Sequence, residues 1–171
     1  MYLLWLLGYF MMWTLVIYIM HRAAHTVPFL WYFHRGHHKI SYKGEWEFSW
    51  WNLIGWFNDW HSTLDQWIME VIPTVVLVMV FPDAWPIAVY YYIDGFCLAE
   101  GITDHNPRIC IPGISWGRYH LRHHANLKVN FDQFTHFWDW VFGTIAEPIP
   151  KGSYIRGKKS EEDIYTGSVE F

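Results

Sequence analysis

Three short runs carry most of the histidine in this chain: His21-Arg-Ala-Ala-His25, His34-Arg-Gly-His37-His38 and His120-Leu-Arg-His123-His124. Eleven of the 171 residues are histidine, and His105 stands alone between the second and third runs. Neutral imidazole is the commonest protein metal ligand, and this many ligands in a small chain imply more than one ion. A spacing of four puts His21 and His25 on one helix face, about 5–6 Å apart. In each H-x-x-H-H run the first and fourth residues share a face, and the fifth lies within one turn of both. Each run can therefore present three nitrogens to a two-metal centre. A single H-x-x-x-H arises by chance. Two H-x-x-H-H runs with an H-x-x-x-H at the inner end of an apolar helix do not. Arg22 stands where a zinc protease of the H-E-x-x-H type has glutamate, which argues against that class.

The elements that hold these runs must suit lipid. The chain is 53% hydrophobic and 21% aromatic but only 16% charged, against about 25% charged in ordinary soluble domains. Met1–Met20 has no charged residue, and about 20 apolar residues span the hydrocarbon core as a helix. It lacks a basic n-region and an Ala-x-Ala site, so an anchor helix is expected rather than a signal peptide. A second apolar region, Trp67–Cys97, is interrupted by Pro82-Asp83. It reads as a hairpin with arms Trp67–Phe81 and Ala84–Cys97, either two short spans or a re-entrant loop, with Glu70 and Pro73 weakening the first arm. Glu45–Trp60 reads as an interfacial amphipathic segment. Pro28 lets the chain turn between the first two runs. The expected fold is all-α and membrane-integral: one N-terminal helix, a hairpin, and a helical histidine-rich metal cap, in one domain over residues 1–150. Residues 151–171 read as a polar, mobile tail.

Every Lys and Arg lies outside the apolar segments, and eight of the twelve, Arg22, Arg35, Lys39, Lys43, Arg108, Arg118, Arg122 and Lys128, flank the histidines. The positive-inside rule then puts the histidine face in the cytoplasm. The net charge of -4 and the lack of a basic stripe give no nucleic-acid footprint. Cys97 and Cys110 form no CxxC pair, so neither a disulfide framework nor a thiolate zinc site is expected.

The order and spacing of the histidines, with the ending Asn130-Phe131 … Trp138-Asp139-Trp140-Val141-Phe142-Gly143-Thr144, resemble the membrane-bound fatty acid hydroxylase/sterol desaturase superfamily over residues 9–147. The resemblance implies a helical membrane bundle with a cytosolic cap, in the endoplasmic reticulum of a eukaryote or the inner membrane of a bacterium. It implies two iron ions, with zinc found in isolated protein, and O2 as co-substrate. The reaction would be hydroxylation of an unactivated lipid C–H bond, with desaturation as the alternative. Electrons would come from cytochrome b5, or from a ferredoxin or rubredoxin. The ligands carried over are His21, His25, His34, His37, His38, His105, His120, His123 and His124.

Some positions depart from the family pattern. Many members have a second histidine shortly before the middle one, where this chain has Glu100 and Asp104. Either carboxylate could supply an oxygen ligand or hydrogen-bond a ligand histidine. His61, in a stretch resembling His-Pro-Leu-Glu, is expected to pin a loop, and His136 to be structural. Both, with Asn126, are the remaining candidates for a further ligand or its support. Trp138 and Phe142 are expected to pack on the cap. Longer members carry a further span near the N terminus, so either the first helix suffices or a homo-oligomer completes the bundle.

Three other readings compete. A bis-histidine haem electron carrier would need histidine pairs facing across helices. A zinc-storage membrane protein would bind metal without turnover. Carotenoid ring hydroxylases have different histidine spacing and lack the Trp-Asp-x-x-Phe-Gly-Thr ending. The aromatics of Trp46–Trp60 and Tyr90–Phe96 are candidates either to line a substrate slot or to anchor the chain in the membrane.

Overall fold

The computed structural model describes residues 1–40, 49–57, 59–99, 101–156 and 169–170. Glu100, Trp46 and part of the expected interfacial segment fall outside them. Helix α1 (Tyr2–Ala24) buries Trp13, Thr14, Ile17, Tyr18, His21 and Ala24. These positions recur on one face of a 3.6-residue helix. Its other face exposes Leu4, Val16 and Ile19, while Leu3 and Leu7, on the same stripe as His21 but near the N-terminal end, are also exposed. The chain turns after His25, and Pro28, with its φ pre-set, opens α2 (Pro28–His34).

Helix α3 (Trp60–Gln66) starts at Asp59, whose carboxylate accepts from His61 N and Ser62 N at 2.7 and 3.0 Å. It runs through a π turn at Trp67–Val71 into α4 (Ile72–Val80). The hairpin arm is therefore longer than the sequence suggests: Trp60–Val80 forms 21 helical residues, apolar and long enough to cross a membrane, as does α1. Glu70 and Pro73 do not end it. In the wide turn Ile72 N reaches Trp67 O, five residues back, so the helix absorbs both residues. The chain reverses at Pro82–Ala84, as the Pro82-Asp83 pair predicts. The return arm is α5 (Trp85–Tyr91) and a second π segment, Tyr92–Leu98. Its length of about 20 Å is short of the hydrocarbon core. Trp60, placed at the end of the interfacial segment by sequence, instead begins the long helix. Trp50 and Trp51, in a 3-10 turn before it, are exposed.

The core joining α1 to the hairpin contains Trp13, Ile17, Leu77, Ala84, Ile87, Tyr91 and Phe134. Trp13 Nε1 donates to Thr74 Oγ1 at 2.8 Å. In lipid such interhelical bonds contribute about 0.6 kcal/mol each, so close packing carries most of the association.

Beyond the hairpin a loop carrying His105 leads to α6 (Arg118–Ala125). Gly117 precedes it at φ +64°, where a Cβ would collide with the Ile109 and Asn106 carbonyls, so only glycine fits. Helix α7 (Phe137–Phe142) ends at Gly143 in the left-handed region. The indole of Trp138 donates to Thr14 at 3.0 Å, and Phe142 stacks on Tyr18 at 5.1 Å. These two aromatics therefore pack on α1 and not on the cap. The expected tail begins folded: Ile155 is buried with Leu121 and Ile149. Tyr154–Ile155 (β1) pairs antiparallel with Val169–Glu170 (β2).

Candidate metal centre

The fold gathers all nine sequence-predicted ligand histidines into two groups. His21, His25, His34, His38 and His123 form one, and His37, His105, His120 and His124 the other. Within each group the candidate ligand atoms lie within 4.8 Å of one another. The groups abut, with the His38 and His124 rings 4.5 Å apart. Each H-x-x-H-H run divides between them. His34 and His38 enter the first group and His37 the second; His120 and His124 enter the second and His123 the first. Every pair spaced by four stays together and the residue at spacing three crosses over. On a helix, i+4 lies about 40° from i while i+3 lies about 60° to the other side.

The Nε2 atoms face inward. In the first group His34 Nε2 lies 3.1 Å from His25 Nε2 and 3.0 Å from His38 Nε2, and His123 Nε2 lies 3.0 Å from His25 Nε2. In the second, His105, His37, His124 and His120 make five such contacts at 3.1–3.2 Å. A neutral ring nitrogen has one proton or one lone pair, so four rings cannot satisfy five contacts as hydrogen bonds. Nitrogens held at right angles about 2.1 Å from one ion are about 3.0 Å apart, which these spacings match. They leave no gap for a haem macrocycle. His21 Nε2 is buried with no hydrogen-bond partner among the described residues. Left bare, such an atom costs about 1–3 kcal/mol; a bound ion would remove that cost.

Several outer nitrogens are anchored. His21 Nδ1 donates to Phe131 O at 2.6 Å and His123 Nδ1 to Val129 O at 2.8 Å. His34 Nδ1 faces both oxygens of buried Asp65, at 3.1 and 2.9 Å. These bonds place the proton on Nδ1 and turn the Nε2 lone pair into the group. Burial, and secondarily the neighbouring imidazoles, push His37 down to about 4 and His25 down to about 2. The same causes lower His38, His105, His120, His123 and His124. These seven rings are thus neutral at pH 7, the form that binds metal. Among the described residues, neither group contains a carboxylate.

The C-terminal signature acts as a clamp behind the site. Asp139 accepts from Phe131 N, Asp132 N and Thr144 Oγ1 at 2.9, 2.9 and 2.6 Å. It thereby fixes the loop whose Phe131 carbonyl holds His21. Asn130, at φ +54°, donates to Tyr119 O and Ala146 O at 3.0 and 3.1 Å and accepts from Ala146 N. Tyr18 OH meets Thr144 Oγ1 at 2.9 Å, tying the clamp to α1.

The other named residues lie elsewhere. Asp104 is buried and lines a cavity beside His37, His105 and His120, but belongs to neither group. His61 is exposed in the first turn of α3, its ring 5.1 Å from Tyr32. His136 lies against Tyr119 at 3.9 Å. Asn126 is exposed, and its Oδ1 accepts from Lys128 N. Glu100 lies outside the described residues.

Sequence reasoning missed Asp65, Gln66, Glu70 and Gln133 as neighbours of the site. All four line that same cavity, whose volume is about 30 Å³, room for about one water. Gln66 Nε2 donates to Glu70 Oε2 and Tyr91 OH, both at 2.8 Å. The available signal was a pair of carboxylates, Asp65 and Glu70, at the start of an apolar stretch; an ionisable group in a membrane helix marks a functional site by default.

The fatty acid hydroxylase family model matches residues 6–144, and the chain belongs to that family. A protein of Arabidopsis thaliana described as "Putative Delta(7)-sterol-C5(6)-desaturase 2" is 26% identical over 149 residues, 84% of this chain and 49% of that one. The Delta(7)-sterol-C5(6)-desaturase of Nicotiana tabacum is 25% identical over 138 residues, 78% of this chain and 46% of that one. The chain spans about half the length of these curated relatives. No solved structure matches it.

Proposed function

We propose that this chain is an O2-dependent membrane lipid hydroxylase that uses two iron ions. The observation that carries the reading is the pair of abutting histidine groups gathered from α1, α2, α6 and the turns and loop between them. Imidazole suits iron and zinc alike, so zinc could occupy the same nitrogens in isolated protein. Two iron ions held there would supply O2 activation and removal of hydrogen from an unactivated C–H bond.

The chain's own residues do the rest. Asp65, Phe131 O and Val129 O orient the rings of His34, His21 and His123. The small cavity beside His37, His105 and His120 limits access of water to the reacting carbon. Desaturation is the second reading, favoured by the two relatives named as sterol desaturases. Sterols are therefore candidate substrates beside fatty acyl lipids. The positive residues flanking the histidines support a cytoplasmic site, within reach of cytochrome b5, a ferredoxin or a rubredoxin as electron donor. Residues 1–150 form the working unit, alone or in a homo-oligomer.

Lipid profiling of cells expressing the wild-type chain or His123→Ala tests the activity. The expected result is a lipid gaining one oxygen, or losing two hydrogens, with wild type only. Identical profiles would contradict it.

A further inference from the structure

Two apolar grooves flank α1, and only one of them shares a lining residue with the histidine cavity. The first, about 570 Å³, is lined by Leu6, Leu7 and Phe10 of α1, Ile87 and Tyr90 of α5, and Phe134. The second, about 440 Å³, runs between Val16 of α1 and Val76 of α4 and shares no lining residue with the histidine cavity. Phe134 lines both the first groove and that cavity. It is buried between Trp13 (4.4 Å) and Tyr90 (5.9 Å). Its neighbours divide in the same way: Gln133 faces the cavity and Thr135 the groove.

From these contacts the geometry points to a lipid-chain site. The hydrocarbon chain of a membrane lipid lies in the Leu6–Phe10–Ile87–Tyr90 groove, and its reacting carbon reaches the histidine cavity past Phe134, which sets how far it enters. This inference rests on the lipid-oxidising reading above. No charged side chain lines the groove, and its rim residues Leu3 and Leu7 are exposed on a helix long enough to span a membrane. A lipid can therefore enter sideways without crossing water. Along α1 the groove begins about 16 Å before His21 and extends about 10 Å further toward Leu3. A chain whose methyl end lies in this groove reaches the histidines with an internal carbon and not its terminal one.

The test uses a long-chain fatty acid carrying a diazirine near its methyl end, photolysed with the full-length metal-loaded protein in vesicles. The labelled peptides are then mapped. Label is expected on Leu3–Phe10 and Pro86–Tyr90, reduced at least fivefold by Leu6→Trp and unchanged by Val76→Trp in the other groove. Label on Met12–Met20 and Ile68–Val80 instead, or label insensitive to Leu6→Trp, would overturn the proposal.

Phe134→Trp should keep its metal content and groove label but lose product at least tenfold. Phe134→Leu should retain product and move its position along the chain. An unmoved position and full turnover in both variants would remove Phe134 from the path. Groove labelling in a wild-type protein that oxidises no lipid would sink the oxygenase reading and leave the groove standing.

Discussion

Asp65 faces His34 Nδ1 with both carboxylate oxygens, at 2.9 and 3.1 Å, from a helix 31 positions further along the chain. The carboxylate orients the ring and holds its proton on Nδ1, and losing such a partner lowers metal affinity about 10–100-fold. Asp65→Ala should therefore weaken metal retention by that factor in a chelator competition. Asp65→Asn, which keeps an acceptor, should fall between it and wild type. Wild-type affinity in Asp65→Ala would show that His34 needs no such support.

The clamp at Asp139 predicts a loss of stability before any loss of chemistry. Asp139→Ala strands Phe131 N and Asp132 N and leaves Thr144 Oγ1 with Tyr18 OH, all three now bonded to the carboxylate. At about 1–3 kcal/mol for each buried donor left alone, the total is on the order of 3 kcal/mol after partial rehydration. The detergent-solubilised variant should melt several degrees lower, and its His21 should bind metal less well because Phe131 O is no longer fixed. An unchanged melting temperature would count against the clamp.

Gly117 should tolerate no side chain. Gly117→Ala adds a Cβ against the Ile109 carbonyl at a positive φ. The strain falls one residue before the helix carrying His120, His123 and His124. Well-folded, metal-replete Gly117→Ala protein would contradict this packing.

Acid should destabilise the metal-free chain in a defined window. Its buried rings have lowered folded-state pKa values, His37 about 4 and His25 about 2, from burial and neighbouring histidines. An unfolded histidine takes a proton below about 6.5, so the unfolded state binds more protons than the folded one below that pH. Stability should fall steadily from about pH 6.5 toward pH 4, the lowered histidines outnumbering buried Asp132, whose carboxyl, raised to about 7 by burial, acts with the opposite sign. Denaturant titrations across pH 4–8 measure this. A rise in stability on acidification would show that the rings are charged in the fold.

The histidine pattern was readable because helix periodicity fixes which side chains share a face; the eight rings of the three spaced runs, and His105, which the family resemblance adds, meet in space. Their division was only partly so. The placing of each run depends on how the 3-10 turn at His37–Lys39 and the helix at Arg118–Ala125 approach each other. Spacing carries the crossing-over of the i+3 residue, but which group each run's i,i+4 pair joins is set by that tertiary approach. The hairpin was legible at Pro82-Asp83, but the continuity of Trp60–Val80 was hidden. Glu70 and Pro73 weaken an apolar span in sequence, and a π turn accommodates them in the fold. Trp138 and Phe142 read as a helical stripe, and only tertiary packing shows that their partners are Thr14 and Tyr18. Asp65 was passed over because a carboxylate becomes a histidine's partner only once α3 lies against α2.

The most direct test is metal counting in protein reconstituted anaerobically with iron. The wild-type chain should hold two ions per polypeptide, His120→Ala should hold one, and that one should be lost when His25→Ala is added. A single ion in the wild type, or an undiminished pair in His120→Ala, would contradict the two-centre account.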